Sequence, residues 1–227
     1  MITVKIDPVV DQLKRVKGSR LSMMIDKNAQ LVISAPYHVS ISEINKFIES
    51  KRDWITKSKH KILAHKPVEK QYIDGEKFLY LGEYRALKVV PRNRFAIEYK
   101  DGFFLISDHC LPKAKEFLTA LYKNLAWNYF APRIYELAKK HNFKFSNVKV
   151  SSANTKWGSC SNRGNINLSW KLVMAPPETI DYVIIHELAH TVEANHSADF
   201  WAIVSKIMPD YEFHKKWLAD NAKECEI

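Results

Sequence analysis

The sequence predicts an α+β fold in two parts: an N-terminal part rich in twisted antiparallel strands, then a short sheet lying over two or three helices. Three observations lead there. Short strand-like runs between Ser19 and Ile106 are punctuated by turn residues, with one helical interruption. Apolar residues then recur at helical spacing from Phe117 to Ala138. Beyond a second set of short strands, helical periodicity returns from Pro177 to the end of the chain. The change of character at Leu111-Pro112 divides the chain into 1–110, a β-rich part with a helical insertion, and 111–227, with the two expected to pack as one compact unit.

Taken in order, Ser19–Asp26 and Ala29–Ala35 read as a hairpin around Lys27-Asn28, ended by Pro36. Ser40 and Glu43 have capping-box spacing, and Ile44, Phe47 and Ile48 follow at helical intervals. Trp54, Ile55, Ile62 and Leu63 extend that pattern past Ser50, which suggests two short helices. Strand signals return at Lys77–Leu81, Tyr84–Val90, Phe95–Tyr99 and Phe103–Ile106, broken by Gly82, Pro91-Arg92-Asn93 and Asp101-Gly102. A twisted antiparallel sheet, part of a small barrel, is the economical assembly. The long helix that follows accepts Pro112 in its first turn, whereas Pro132 is expected to kink or divide it. Val148–Ser152, Thr155–Ser161 and Ile166–Trp170 form a short antiparallel sheet, with a turn at Asn162–Asn165. Pro177 or Glu178 opens the next helix, and Ala198–Met208 and Tyr211–Ala222 close the chain as two more.

With 227 residues and 46% hydrophobic side chains, the chain is long enough to bury a core without covalent staples. Three widely spaced cysteines, Cys110, Cys160 and Cys225, form no C-x-x-C pair, which argues against a disulfide framework or a zinc ribbon. Lys5 and Asp7 interrupt the start where a signal peptide needs an apolar core, and no run approaches a membrane span, so a soluble, cytoplasmic protein is expected. The net charge of +10 leaves nucleic acid open as a partner, although no lysine run accompanies it and a solvated basic surface explains it more simply.

The chemistry is concentrated between Asp181 and Trp201. His186-Glu187-Leu188-Ala189-His190 is an H-E-x-x-H pentapeptide. At about 100° per residue, positions four apart lie one helical turn from each other on one face. Two imidazoles can therefore aim at one point with Glu187 beside them, the geometry of a zinc site that carries its own general base. A zinc hydrolase uses three protein ligands, and the third candidate is His196. It can join the others only if the helix stops and the chain doubles back. Asn195 tolerates the left-handed backbone that would end the helix, and Ser197 can cap the next, with Asp199 in its first turn. Glu193, Glu212 and Glu224 are carboxylate alternatives; spacing and turn chemistry favour His196. His214 reads as a surface residue, Trp157 as core, and Cys160 as a small buried hydrophobe rather than a nucleophile. Phe200 and Trp201 are expected to anchor the helix after His196.

Asn154-Thr155-Lys156-Trp157-Gly158-Ser159-Cys160-Ser161, then Gly164, Ile166 and Leu168, then Asp181-Tyr182-Val183, His186 to His190, Asn195-His196-Ser197 and Phe200-Trp201 together resemble the YgjP-like metallopeptidase family, a relative of the SprT-like and WLM zinc proteases. The resemblance implies one Zn²⁺ per chain held by His186, His190 and His196, Glu187 as general base, a minimal zincin-like core, and a protein or peptide substrate. The same histidine spacing occurs in metzincins, but those usually carry glycine where this chain has Glu193, and no Met-turn is evident. Tyr182, Tyr211 and Lys156 are candidates for the oxyanion donor, and the edge of the Thr155–Ser161 strand suits an extended peptide. Two other readings compete: a metal-dependent hydrolase of nucleotide phosphoanhydrides, and a DNA-associated SprT-like protease.

Overall fold

A computed structural model of the protein describes residues 10–26, 28–64, 70–92 and 94–227, with the side chains of 61–64 left aside. The expectations at Lys5, Asp7, Lys27 and Asn93, and for the side chains of Ile62 and Leu63, lie outside the described residues. The chain divides into two compact units, Met1–Val68 and Glu69–Ile227.

The first unit contains β1 (Gln12–Val16), β2 (Ser22–Ile25), β3 (Leu31–Pro36), α1 (Ile41–Glu49) and α2 (Arg52–Ala64). The hairpin forms as expected. β2 and β3 pair antiparallel, and the Asp26 carboxylate accepts from the backbone N–H groups of Asn28 and Gln30 at 2.8 Å each. β1, which carries no strong apolar alternation, pairs parallel to β3 on its other side. The capping box is complete: Ser40 Oγ accepts from Glu43 N at 3.2 Å, and Glu43 Oε2 accepts from Ser40 N at 2.8 Å. α1 stops at Glu49 and α2 begins at Arg52, so the two-helix reading holds. Leu31, Ile33, Ala35, Ile44, Ile48 and Ile55 form this unit's own core.

The second unit opens with β4 (Lys77–Tyr80), β5 (Glu83–Val90), β6 (Ile97–Lys100) and β7 (Phe103–Ser107) in the spatial order β4-β5-β7-β6. The sheet is mixed rather than antiparallel throughout, because β5 and β7 run parallel. Asp101 and Gly102 both have positive φ, as the tight β6–β7 hairpin requires. A 3-10 helix, Asp108–Lys113, leads into α3 (Ala114–His141). α3 continues through Pro132 as one helix, since Leu118, Tyr122, Ala126, Phe130, Ile134 and Leu137 bury a continuous stripe on both sides of the proline. Tyr122 also donates its hydroxyl to Leu79 O at 2.5 Å, and its ring meets Phe104 at 5.3 Å. These contacts place β4–β7 in the same core as α3, so the division expected at residue 110 falls inside this unit.

β8 (Asn147–Ser151), β9 (Gly158–Cys160) and β10 (Asn165–Ser169) form the second sheet, in the order β8-β10-β9. β9 and β10 are antiparallel, but β8 and β10 are parallel, because the connection over 152–157 reverses the chain onto the far edge as β9 and the β9–β10 turn reverses it again into the middle of the sheet. A 3-10 turn, Trp170–Met174, then leads to α4 (Pro177–Ala189), with α5 (Ala198–Ile207) and α6 (Tyr211–Asn221) beyond. α4 is buried almost all round, through Ile180, Val183, Ile184, Leu188 and their neighbours, and packs against β9, β10, α3, α5 and α6. The α+β class therefore holds. No described helix is long and apolar enough to cross a membrane.

The β4–β5 turn is pinned to the approach to α4. Leu81 N donates to Val173 O at 2.9 Å and Gly82 N to Met174 O at 3.0 Å. Gly82 has φ +80°, and a methyl group there would lie 2.9 Å from Pro176 Cα. Gly82→Ala is thus expected to cost about 1–3 kcal/mol, from backbone strain plus overpacking, read as a lower urea midpoint at unchanged slope. An unchanged midpoint would show that the turn does not brace α4.

Candidate active site

α4 reaches the site as a core helix, and its C-terminal turn faces a cleft. It ends at Ala189, with His190 as the capping residue (φ −64°, ψ −15°). Asn195, the terminator that the sequence offers, neither ends this helix nor adopts a left-handed conformation. The Leu188 carbonyl is instead taken by Thr191 N and Thr191 Oγ1, and the Ala189 carbonyl by Val192 N and Glu193 N, so the helix closes within its own last turn. The chain doubles back over residues 190–197. Ser197 then caps α5 by accepting from Phe200 N at 3.3 Å, with Asp199 in the first turn.

The turn brings His186, His190 and His196 together, one ring nitrogen from each lying within 4.8 Å of the others. His186 Nε2 and His196 Nε2 are 3.0 Å apart. Two nitrogens of a tetrahedral site with bonds of about 2.05 Å would be roughly 3.3 Å apart, so the pair is near the spacing a shared ion needs. His190 Nδ1 lies 3.1 Å from Glu193 O. With that nitrogen donating to the carbonyl, Nε2 is left bare and facing the other rings. Burial, followed by the neighbouring imidazoles, pushes His186 down to about 3, and burial also lowers His190, so both rings are held neutral, as ligands must be. Imidazole donors suit zinc among the borderline divalent ions. The donor set fits the metal.

Phe200 packs its ring against all three imidazoles, with centroids at 4.9, 4.5 and 4.8 Å, and Trp201 approaches His186 and His196 at 5.8 and 5.7 Å. Their role exceeds the expected anchoring of α5, because they fix the rings directly. The carboxylate alternatives lie elsewhere. Glu193 Oε1 accepts from Asn195 N, Glu212 pairs with Lys215, and Glu224 accepts from the Tyr84 hydroxyl.

Glu187 is 5% exposed, and its Oε2 has no hydrogen-bond partner. Burial raises its carboxyl to about 7, with the charge of Lys156 pulling the other way. Beside it lies a contact the sequence does not announce. A methyl group on Gly158 would lie 2.5 Å from Glu187 Oε1, 2.7 Å from Cγ and 2.9 Å from Cδ. Gly158 leaves room for the glutamate by having no side chain. Gly158→Ala is expected to displace the carboxylate and lower turnover at least about 10-fold while metal content is kept. Turnover equal to wild type would remove that packing constraint from the account.

His214 is corrected from surface to core. It is 5% exposed, its Nδ1 lies 3.0 Å from Thr179 Oγ1, and its ring stacks on Tyr182. The signal was present in the spacing of Tyr211, His214 and Leu218, which puts all three on one helical stripe. Tyr182 and Tyr211 stack on each other, and Tyr211 on Trp201. Arg133 of α3 holds Asp181 through Nε at 2.7 Å and Nη2 at 2.5 Å, fixing α4 one turn before the histidines. Cys160 is half-buried, and burial raises its thiol, which leaves it without thiolate character.

Two cavities flank Glu187. One, of about 450 Å³, is lined by Ser159, Cys160, Ser161, Asn162 and Thr191 together with the histidines. The other, of about 440 Å³, is mainly apolar, lined by Trp157, Tyr182, Val183, Leu218, Ala219 and Ala222, with Lys215 at its edge. Lys156, Gly158, His186 and Glu187 border both.

No curated protein matches this chain. A solved structure, the metallopeptidase zymogen abylysin of Pyrococcus abyssi, is similar at 21% identity, covering 40% of this chain and 92% of its own, with a TM-score of 0.36. The model of the YgjP-like metallopeptidase domain matches residues 19–221, which take in the histidine cluster, Glu187 and Gly158. The chain belongs to the YgjP-like metallopeptidase domain family and is a metal-dependent hydrolase.

Proposed function

We propose that this protein is a zinc-dependent peptidase in which His186, His190 and His196 hold one Zn²⁺ and Glu187 is the general base. The observation that carries the reading is the convergence of three imidazole nitrogens within 4.8 Å beside a buried carboxylate with an unpartnered oxygen. Zinc, when bound, supplies Lewis acidity: it lowers the pKa of water towards about 7 and polarises the substrate carbonyl. Glu187 takes the proton of the attacking water at its carboxylate as the new C–O bond forms. It returns that proton to the amide nitrogen as the C–N bond breaks, leaving a carboxylate and an amine. Burial keeps its carboxyl near the pKa that suits both transfers, and a cation alongside draws it towards the ionised, proton-accepting form at neutral pH.

Among the candidates for the oxyanion donor, Tyr182 is 5% exposed and borders only the second cavity, and Tyr211 borders neither. Lys156 borders both, and it is the donor we favour. Substrate reaches the site along β9, the edge strand of its sheet. Its outer backbone groups are available to an extended peptide.

The test is a substrate panel of unfolded protein, short peptides and nucleoside triphosphates, given to zinc-loaded, chelated and zinc-reloaded protein. Peptide and protein cleavage is expected, abolished by the chelator and restored by zinc. Phosphate release from triphosphates with all peptides intact would replace the peptidase reading with phosphoanhydride hydrolysis.

A further inference from the structure

The cleft does not end at the apolar cavity beside Glu187. A third cavity, of about 180 Å³, adjoins it across Lys156, Trp157 and Ala222. Lys156, Lys171 and Lys223 line this third space, with Glu226 as its single acid. Lys171 pairs with Glu226 at 3.5 Å, so three lysines against one glutamate leave the lining net positive. Lys171 is largely covered, its side chain 17% exposed, and charge held in such a recess is screened less than charge on an open surface. Passing along the cleft, a polar cavity, the catalytic groups, an apolar cavity and a cationic cavity follow one another. The chain from Cys160 back to Ala153 runs beside all of them.

That order gives the cleft a direction. An antiparallel partner makes straighter hydrogen bonds to an edge strand than a parallel one. A peptide added antiparallel to β9 runs from the Cys160 end towards the Trp157 end, so the residues after its scissile bond enter the apolar and then the cationic space. We propose that the protein selects substrates with a bulky apolar residue immediately after the scissile bond and a carboxylate next to it. The carboxylate is supplied by either an acidic side chain or the free C-terminus. Trp157, Tyr182, Val183 and Leu218 receive the apolar side chain, and Lys171 and Lys223 receive the carboxylate. This inference rests on the peptidase reading above and adds a substrate class to it.

The experiment measures binding apart from turnover. Fluorescent peptides identical except at one end are titrated into zinc-loaded Glu187→Gln protein and followed by anisotropy. The ends are leucine then glutamate with an amidated terminus, leucine then lysine with an amidated terminus, leucine as a free acid, and leucine amide. At low salt, at least one carboxylate-bearing peptide is expected to bind about 10-fold more tightly than its neutral or cationic counterpart, with the gap narrowing as salt rises. Tight binding by the free acid alone identifies a chain end as the ligand, and by the glutamate peptide alone an acidic side chain; either satisfies the proposal. Lys223→Glu should reduce the ratio of acidic to neutral affinity, and leucine→glycine should weaken every peptide. Wild-type protein should cut on the N-terminal side of the leucine, as read by mass spectrometry. Equal binding of all four peptides, or cleavage with leucine on the other side of the bond, would overturn the subsite. Discrimination in binding without cleavage of any peptide would leave the subsite standing and remove the peptidase reading instead.

Discussion

Glu187→Gln is expected to keep its zinc and lose at least about 100-fold in kcat, the lower end of what a positioned general base contributes. The substitution preserves shape, and therefore the packing against Gly158, while removing the group that accepts a proton. The buried oxygen that has no partner in the native protein becomes part of a neutral amide, which costs less to desolvate than a carboxylate. The folded state should therefore be no less stable, and a thermal midpoint at or above wild type is expected alongside the loss of turnover. Unfolding measured with turnover on one preparation separates a chemical defect from a structural one. Wild-type turnover in this variant would leave Glu187 without a role as base.

His186→Ala has the second large effect. Even changes to groups that only orient ligands cost about 10–100-fold in metal affinity, so loss of a ligand from a three-histidine set should weaken binding at least about 100-fold. Protein purified without added metal should fall from about one zinc per chain to nearly none. His186 makes this test sharp, because its ring is packed between Phe200 and Tyr182 and faces His196 at 3.0 Å. Its removal also opens a space in the aromatic cluster, so a stability loss of about 1–3 kcal/mol accompanies the metal loss. His196→Ala, at the exposed corner of the set, should lose metal with little change in the stability of the metal-free fold. Retention of a full zinc equivalent in His196→Ala would transfer the third ligand to a carboxylate.

The histidine cluster was legible because its information is local. A four-residue spacing on a helix sets two rings on one face, and a Ser-x-Asp start to the next helix announces a turn between them. The place where the first helix stops was harder. The sequence offers Asn195 as a terminator, but Thr191 stops the chain earlier by satisfying the Leu188 carbonyl with its own hydroxyl, a competition among carbonyl partners that residue preference alone does not rank. Long-range pairings were least legible. The parallel pairs β1–β3, β5–β7 and β8–β10 each join strands separated by intervening chain, and a period-two pattern states that a strand exists without naming its neighbour. Gly158 shows the same limit at the site. Its smallness is plain in the sequence, yet which group needs the space depends on how β9 lies over α4.

The central claim, that three imidazoles of one turn-linked helix pair hold a catalytic zinc beside Glu187, is tested most directly by anomalous diffraction at the zinc edge from crystals of the zinc-loaded protein. The account predicts a single strong peak about 2.0–2.1 Å from Nε2 of His186, His190 and His196, with the Glu187 carboxylate nearby but outside bonding distance. A peak bonded to a carboxylate of Glu193, Glu212 or Glu224 in place of any of these rings, or no peak among them at full zinc loading, would contradict it.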